Sequence, residues 1–153
     1  MKNNSVNQLD NEQNKIAVNL YRYVFWADML RAQFERILAR DRQELERRLQ
    51  TEQITFEPKL LESEMYICLW FGVLYIVIEG WPTLKLNEPG IKKLLRSRFK
   101  DLLRNFRNAT FHPDDYDDAR IQALVASGQE TIDWARKVTL EFKSFFESIL
   151  AIP

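Results

Sequence analysis

Between Tyr66 and Ile78 the chain reads YICLWFGVLYIVI, with no charged residue, and this run narrows the available folds more than any other feature. Its Tyr, Ile, Val and Trp would suit a strand, but Met65 to Glu79 is too long for an ordinary strand and no other segment offers a partner. As a helix it is apolar on every side, and such a helix has to be buried on every side. The run is shorter than the roughly 20 residues that span a bilayer. It therefore reads as the centre of a helical bundle and not as a membrane segment. Thr55, with Pro58 in the first turn, marks its start, and Gly80 and Pro82 stop it.

The flanking sequence supplies the helices that would surround it. From Ile16 to Leu49 apolar residues recur at helical spacing with Arg and Glu between them, which predicts a long first helix, bent near Asp41. Phe25, Trp26 and Met29 fall outside that stripe and predict a second contact surface. Asn87 is placed to cap a third helix with Pro89 in its first turn, carrying one apolar stripe from Ile91 to Ala109. Pro113 disfavours helical geometry at His112 and ends it there. A short helix over roughly Asp118 to Ala126 follows, and Ser127 with Glu130 fits a capping box for the last helix. Four Gly and five Pro in 153 residues are too few for the turns of a sandwich or barrel. The fold class is all-α: a four- to five-helix, up-and-down bundle forming a single domain over residues 15–153, behind a flexible N-terminus of residues 1–14.

Charge and cysteine usage exclude several functions. The 22 basic and 22 acidic residues cancel, so no global field draws the chain onto nucleic acid or an anionic membrane, and any such partner must meet a local patch. A single cysteine, Cys68, forbids an intrachain disulfide, and with a single histidine it excludes Cys/His zinc sites. With no secretory signal in the polar opening residues, the reading is an intracellular, cytoplasmic protein that needs no metal and no cofactor. No phosphate-binding glycine loop, nucleophile elbow or kinase signature is present.

Proton transfer near neutral pH then falls to His112, at the end of the third helix. Arg107 stands five residues before it. On an unbroken helix these two would point about 140° apart, but the break before Pro113 lets the imidazole leave the helical path toward the arginine. Asn108, four residues before His112, is spaced to orient the ring. An arginine for phosphate, an imidazole for a proton and an amide to align them suit metal-free cleavage of RNA through its own 2′-hydroxyl. The bland reading of the same residues is an arginine that caps carbonyls and a histidine that ends a helix. Lys92, Lys93, Arg96, Arg98, Lys100, Arg104 and Arg107 give the third helix a basic excess opposed only by Asp101. Asp114, Asp115, Asp117 and Asp118 reverse the sign just after it and read first as caps for the next helix.

The stretch LLRNFRNATFHP resembles the signature of the HEPN family: arginine, a polar residue, a few positions, then histidine. The family forms all-α bundles of four to five helices that usually dimerise and bring two motifs together. Many members are metal-independent endoribonucleases of toxin–antitoxin, abortive-infection and CRISPR-linked systems. The resemblance implies a homodimer acting on RNA, with an antitoxin or defence-system protein as a further partner. Position by position, it implies that Arg107 contacts the scissile phosphate, His112 is the general base or acid, and Asn108 is the supporting polar residue. Lys100, Arg104 and Tyr116 are the candidate substrate-binding residues beside them. The toxin subgroup paired with nucleotidyltransferase antitoxins has a tyrosine two positions after the histidine; here that position is Asp114, and Tyr116 is the nearest tyrosine. The family also contains members that bind without cutting. The alternative function is thus a non-catalytic module for RNA, a nucleotide or a protein partner.

Overall fold

Asp10 and Gln13 start the first helix through a reciprocal pair of hydrogen bonds: the Gln13 N–H donates to Asp10 Oδ1 at 2.7 Å and the Asp10 N–H donates to Gln13 Oε1 at 3.1 Å. This capping box begins α1 at Asn11, so α1 spans Asn11–Gln50 and takes in residues that composition assigned to a loose terminus. The computed structural model describes residues 9–50, 60–112 and 118–151. Thr55 and Pro58 lie outside them, and α2 is described over Leu60–Gly80, followed by a 3-10 turn at Trp81–Leu84. The chain continues through α3 (Pro89–Leu95), α4 (Phe99–Phe111) and α5 (Asp118–Ile149). All regular structure among the described residues is helical.

The expected third helix is in fact two. The chain breaks at Ser97, whose Oγ accepts from the Phe99 N–H at 3.3 Å just before α4 begins. The Leu94 carbonyl, which an unbroken helix would give to residue 98, instead accepts the Ser97 N–H at 3.3 Å and the Trp134 indole N–H at 3.0 Å. A buried aromatic from α5 thereby satisfies the group that the break frees. The cap of α3 is Glu88, whose carboxylate accepts from the Gly90 N–H at 3.4 Å, in place of the expected Asn87. The last two expected helices are both present: α5 is two helical stretches that meet at a break at Gly128, with φ 39° and ψ −117°.

Contacts along α1 show that it runs antiparallel to both α2 and α5. Arg40 pairs with Glu62 at 3.0 Å while Leu20 packs at Gly80, which sets α1 against α2. Tyr21 meets Glu147, Asp28 meets Lys143 at 2.8 Å and Glu35 meets Arg136 at 2.6 Å, which sets α1 against α5. Phe71 packs on Phe106 and Gly72 on Phe111, placing α4 beside α2. The centre is Trp70, Phe71, Leu74 and Val77 of α2 with Val24 and Ile37 of α1, Leu103 of α4 and Phe142 and Phe146 of α5, all fully buried.

The apolar reach and the burial of α2 both differ from what the bare run Tyr66 to Ile78 suggests. Counted with the 3-10 turn, Met65–Leu84 reaches 20 residues, enough by length and composition to cross a bilayer, although half of it is buried inside the bundle. Nor is the helix buried all round. Met65 is 49% exposed, and Leu69, Val73 and Ile76, which follow at helical spacing, are only half-buried. α1, α4 and α5 cover three sides, and the described chain has no further helix for the fourth. Phe25, Trp26 and Met29 of α1 are exposed as expected.

Candidate functional site

Leu103 and Phe106 bury one side of α4, and that fixes what its other side presents. Lys100, Arg104, Arg107 and Phe111 follow at spacings of four, three and four, so they share one face, with Asn108 beside Arg107. The helix ends where Pro113 requires. His112 leaves the helical path at φ −124° and ψ 92°, its N–H still donating to the Asn108 carbonyl at 3.0 Å, and its side chain is exposed.

Arg107 is half-buried and held from two directions. Its guanidinium carbon lies 5.9 Å from the centre of the Tyr75 ring, and Nη1 donates to Asn108 Oδ1 at 3.0 Å. Cation–π attraction and a hydrogen bond together fix the plane of the fork. No carboxylate pairs with it among the described residues. Asn108 therefore supports the arginine, whereas spacing assigned its amide to the imidazole. Its link to His112 is through the main chain.

The basic excess is smaller than the sequence suggests. The Ser97 break puts Lys92 and Lys93 on α3 and leaves Lys100, Arg104 and Arg107 on α4. Arg98 pairs with Glu130 at 3.4 Å and lies over the Phe99 ring, and Arg104 is 3.7 Å from Asp101. Both pairs are well exposed and worth little. Tyr116 and the run Asp114, Asp115 and Asp117 fall outside the described residues. Among the described residues no three metal-ligating side chains gather.

One member of the site was missed. Tyr75, inside the apolar run, is only 7% exposed, and its ring carries the Arg107 guanidinium. Burial pushes its phenol above the ordinary value, the Glu79 carboxylate adds to this, and Arg104 and Arg107 oppose it. The hydroxyl keeps its proton through the neutral range. The signal lay in Gly72, Tyr75 and Glu79, three and four apart, the one line of α2 that trades aliphatic side chains for a gap, a hydroxyl and a carboxylate. Gly72 admits Phe111: a Cβ there would collide with the Phe111 ring. Glu79, at the end of α2, is exposed and makes no ion pair among the described residues.

The chain matches no protein-family model, and comparison with curated proteins and with solved structures finds no match either.

Proposed function

We propose that this chain is a metal-independent endoribonuclease of the HEPN type, working as a homodimer. The observation that carries this reading is Arg107, fixed between the Tyr75 ring and the Asn108 amide without a carboxylate partner among the described residues, on the helix that His112 terminates. In the proposed reaction His112 takes the proton of a ribose 2′-hydroxyl. The freed oxygen attacks the adjacent phosphorus, the bond to the 5′-oxygen breaks, and that oxygen leaves with the proton returned by the His112 imidazolium. Arg107 stabilises the charge that accumulates on the phosphoryl oxygens. Lys100 and Arg104, along the same face, neutralise flanking phosphates. The half-covered α2 stripe ending near Phe111 is the surface proposed to pair with a second copy. The biological setting that the resemblance implies is a toxin or phage-defence component.

The test is the chemistry of the cut ends. The products should carry a 2′,3′-cyclic phosphate and a 5′-hydroxyl, a 2′-deoxyribose at the cut should block cleavage, and EDTA should leave the rate unchanged. His112→Ala and Arg107→Ala should each abolish cutting while keeping helicity. Products with a 5′-phosphate, or variants as active as the parent, would refute the assignment. RNA retention without new ends would make the chain a binding module.

A further inference from the structure

Val18, Arg22, Phe25, Met29 and Ala32 of α1 follow one another at spacings of four, three, four and three, and Lys15 and Arg36 continue the line at its two ends. Every one of them is exposed, Phe25 by 48% and Met29 by 58%. Alternate steps of three and four average about 3.5 residues, the spacing at which a helix keeps one seam against a second helix along its length. The bundle already uses the opposite side of α1, where Leu20, Val24, Ala27 and Phe34 are buried. The outer seam is therefore additional to the fold, and from Lys15 to Arg36 it runs for about 30 Å.

Charge selects what this seam can hold. The acids between Lys15 and Arg36 are Asp28 and Glu35, and both turn toward α5, where Lys143 meets Asp28 at 2.8 Å and Arg136 meets Glu35 at 2.6 Å. Lys15, Arg22 and Arg36 stay on the outer line without an ion pair among the described residues, and Arg36 donates only to the Gln33 amide oxygen at 3.1 Å. A second copy would bring three more cations to the same seam and no acid, and like charges across an interface cost affinity. An anionic bilayer would have to take these cations at the depth of Phe25 and Met29, whereas a helix lying in a membrane interface keeps them on its polar side. A helix whose own seam combines apolar residues with carboxylates matches both the spacing and the charge. We propose that the outer face of α1 docks an acidic amphipathic helix of about 20 residues from another protein. The apolar residues of that helix pack on Val18, Phe25 and Met29, and its carboxylates pair with Arg22 and Arg36. The surface is separate from the α2 stripe and from the Arg107–His112 end, so the proposal does not depend on the nuclease reading.

The experiment measures binding of labelled synthetic helical peptides to the full chain by fluorescence anisotropy. The probe has a leucine seam with two glutamates fourteen residues apart, the separation of Arg22 and Arg36; a second peptide has lysine at those two places. The parent should bind the glutamate peptide at least about tenfold more tightly than the lysine peptide, with a preference that shrinks as salt rises. Arg22→Glu combined with Arg36→Glu should invert the preference, and Phe25→Ser should weaken binding of the glutamate peptide about tenfold. All three positions are exposed, so helicity and melting temperature should match the parent in both variants. A parent that binds neither peptide, or both equally, would overturn the proposal, as would variants that bind like the parent. Binding to phosphatidylglycerol vesicles in place of the peptide would make the face a lipid surface, and loss of the dimer in Phe25→Ser would make its occupant a second copy; either result overturns the assignment. RNA cutting reads the other end of the molecule: Phe25→Ser should cut as the parent does, and a parent that cuts no RNA but binds the glutamate peptide removes the nuclease reading and leaves the docking face in place.

Discussion

Thr139→Val should destabilise the bundle by about 2 kcal/mol through one orphaned donor. In the core, the Trp70 indole N–H donates to Thr139 Oγ1 at 3.0 Å, and that hydroxyl donates to the Ala135 carbonyl at 2.8 Å. Both side chains are fully buried, so no water can replace the hydroxyl. Valine matches threonine in shape and branching, which leaves cavity and helix-propensity terms nearly unchanged. What changes is the indole N–H, now buried without an acceptor, at a cost of roughly 1–3 kcal/mol. The Ala135 carbonyl keeps its place in the helix ladder and adds little. For a chain of this length each kcal/mol moves the melting temperature by about 2–4 °C, so a fall of about 4–8 °C is expected. Thermal and urea unfolding followed by circular dichroism measure it. A double-mutant cycle isolates the bond: in a Trp70→Phe background, which has no indole, Thr139→Val should cost almost nothing. A variant melting within 1 °C of the parent, or the same loss in both backgrounds, would refute the reasoning.

Two further outcomes are expected. Burial alone would raise the Asp28 carboxyl, but hydrogen bonds from Lys143 and Arg31 outweigh it and hold the group below its ordinary value. The stability it contributes is therefore complete above about pH 4, its unfolded range, and is lost as pH falls through the folded value; Asp28→Asn should flatten that acid limb, and a melting curve against pH that falls equally in parent and variant would contradict it. In solution, light scattering at micromolar concentration should give a dimer that Met65→Glu dissociates and Trp26→Glu leaves intact. A monomeric parent would remove the composite two-motif site, and dissociation by Trp26→Glu alone would move the interface to α1.

Local rules with few competitors were legible in the sequence. Gly80 and Pro82 end α2, Pro89 opens α3, and Pro113 turns His112 out of the helix, because proline and glycine act on backbone torsions whatever surrounds them. Tertiary partners decided the rest. Ser97 breaks a continuous apolar stripe, and periodicity cannot report this, since the freed Leu94 carbonyl is satisfied by Trp134, forty positions away. Asp10 and Gln13 were readable as a capping box, but the Asn-rich composition around them pointed toward a loose terminus. Spacing singled out Arg107 and His112 as candidates. It did not single out Tyr75, because an aromatic inside an apolar run reads as core until the structure puts a guanidinium on its face.

The contact between Gly72 and Phe111 makes the close approach of α4 a property of α2. Phe111 is the last residue of α4, and its ring occupies the space that a side chain at position 72 would need. One missing carbon atom on α2 thus lets the end of α4 approach closely, with Arg107 over the Tyr75 ring and His112 directly after Phe111. Adding that carbon, as in Gly72→Ala, would press on the end of the half-exposed ring and turn it outward, with every residue of the motif unchanged. Two chains with identical Arg–His spacing can therefore differ in how this ring sits by what stands opposite it.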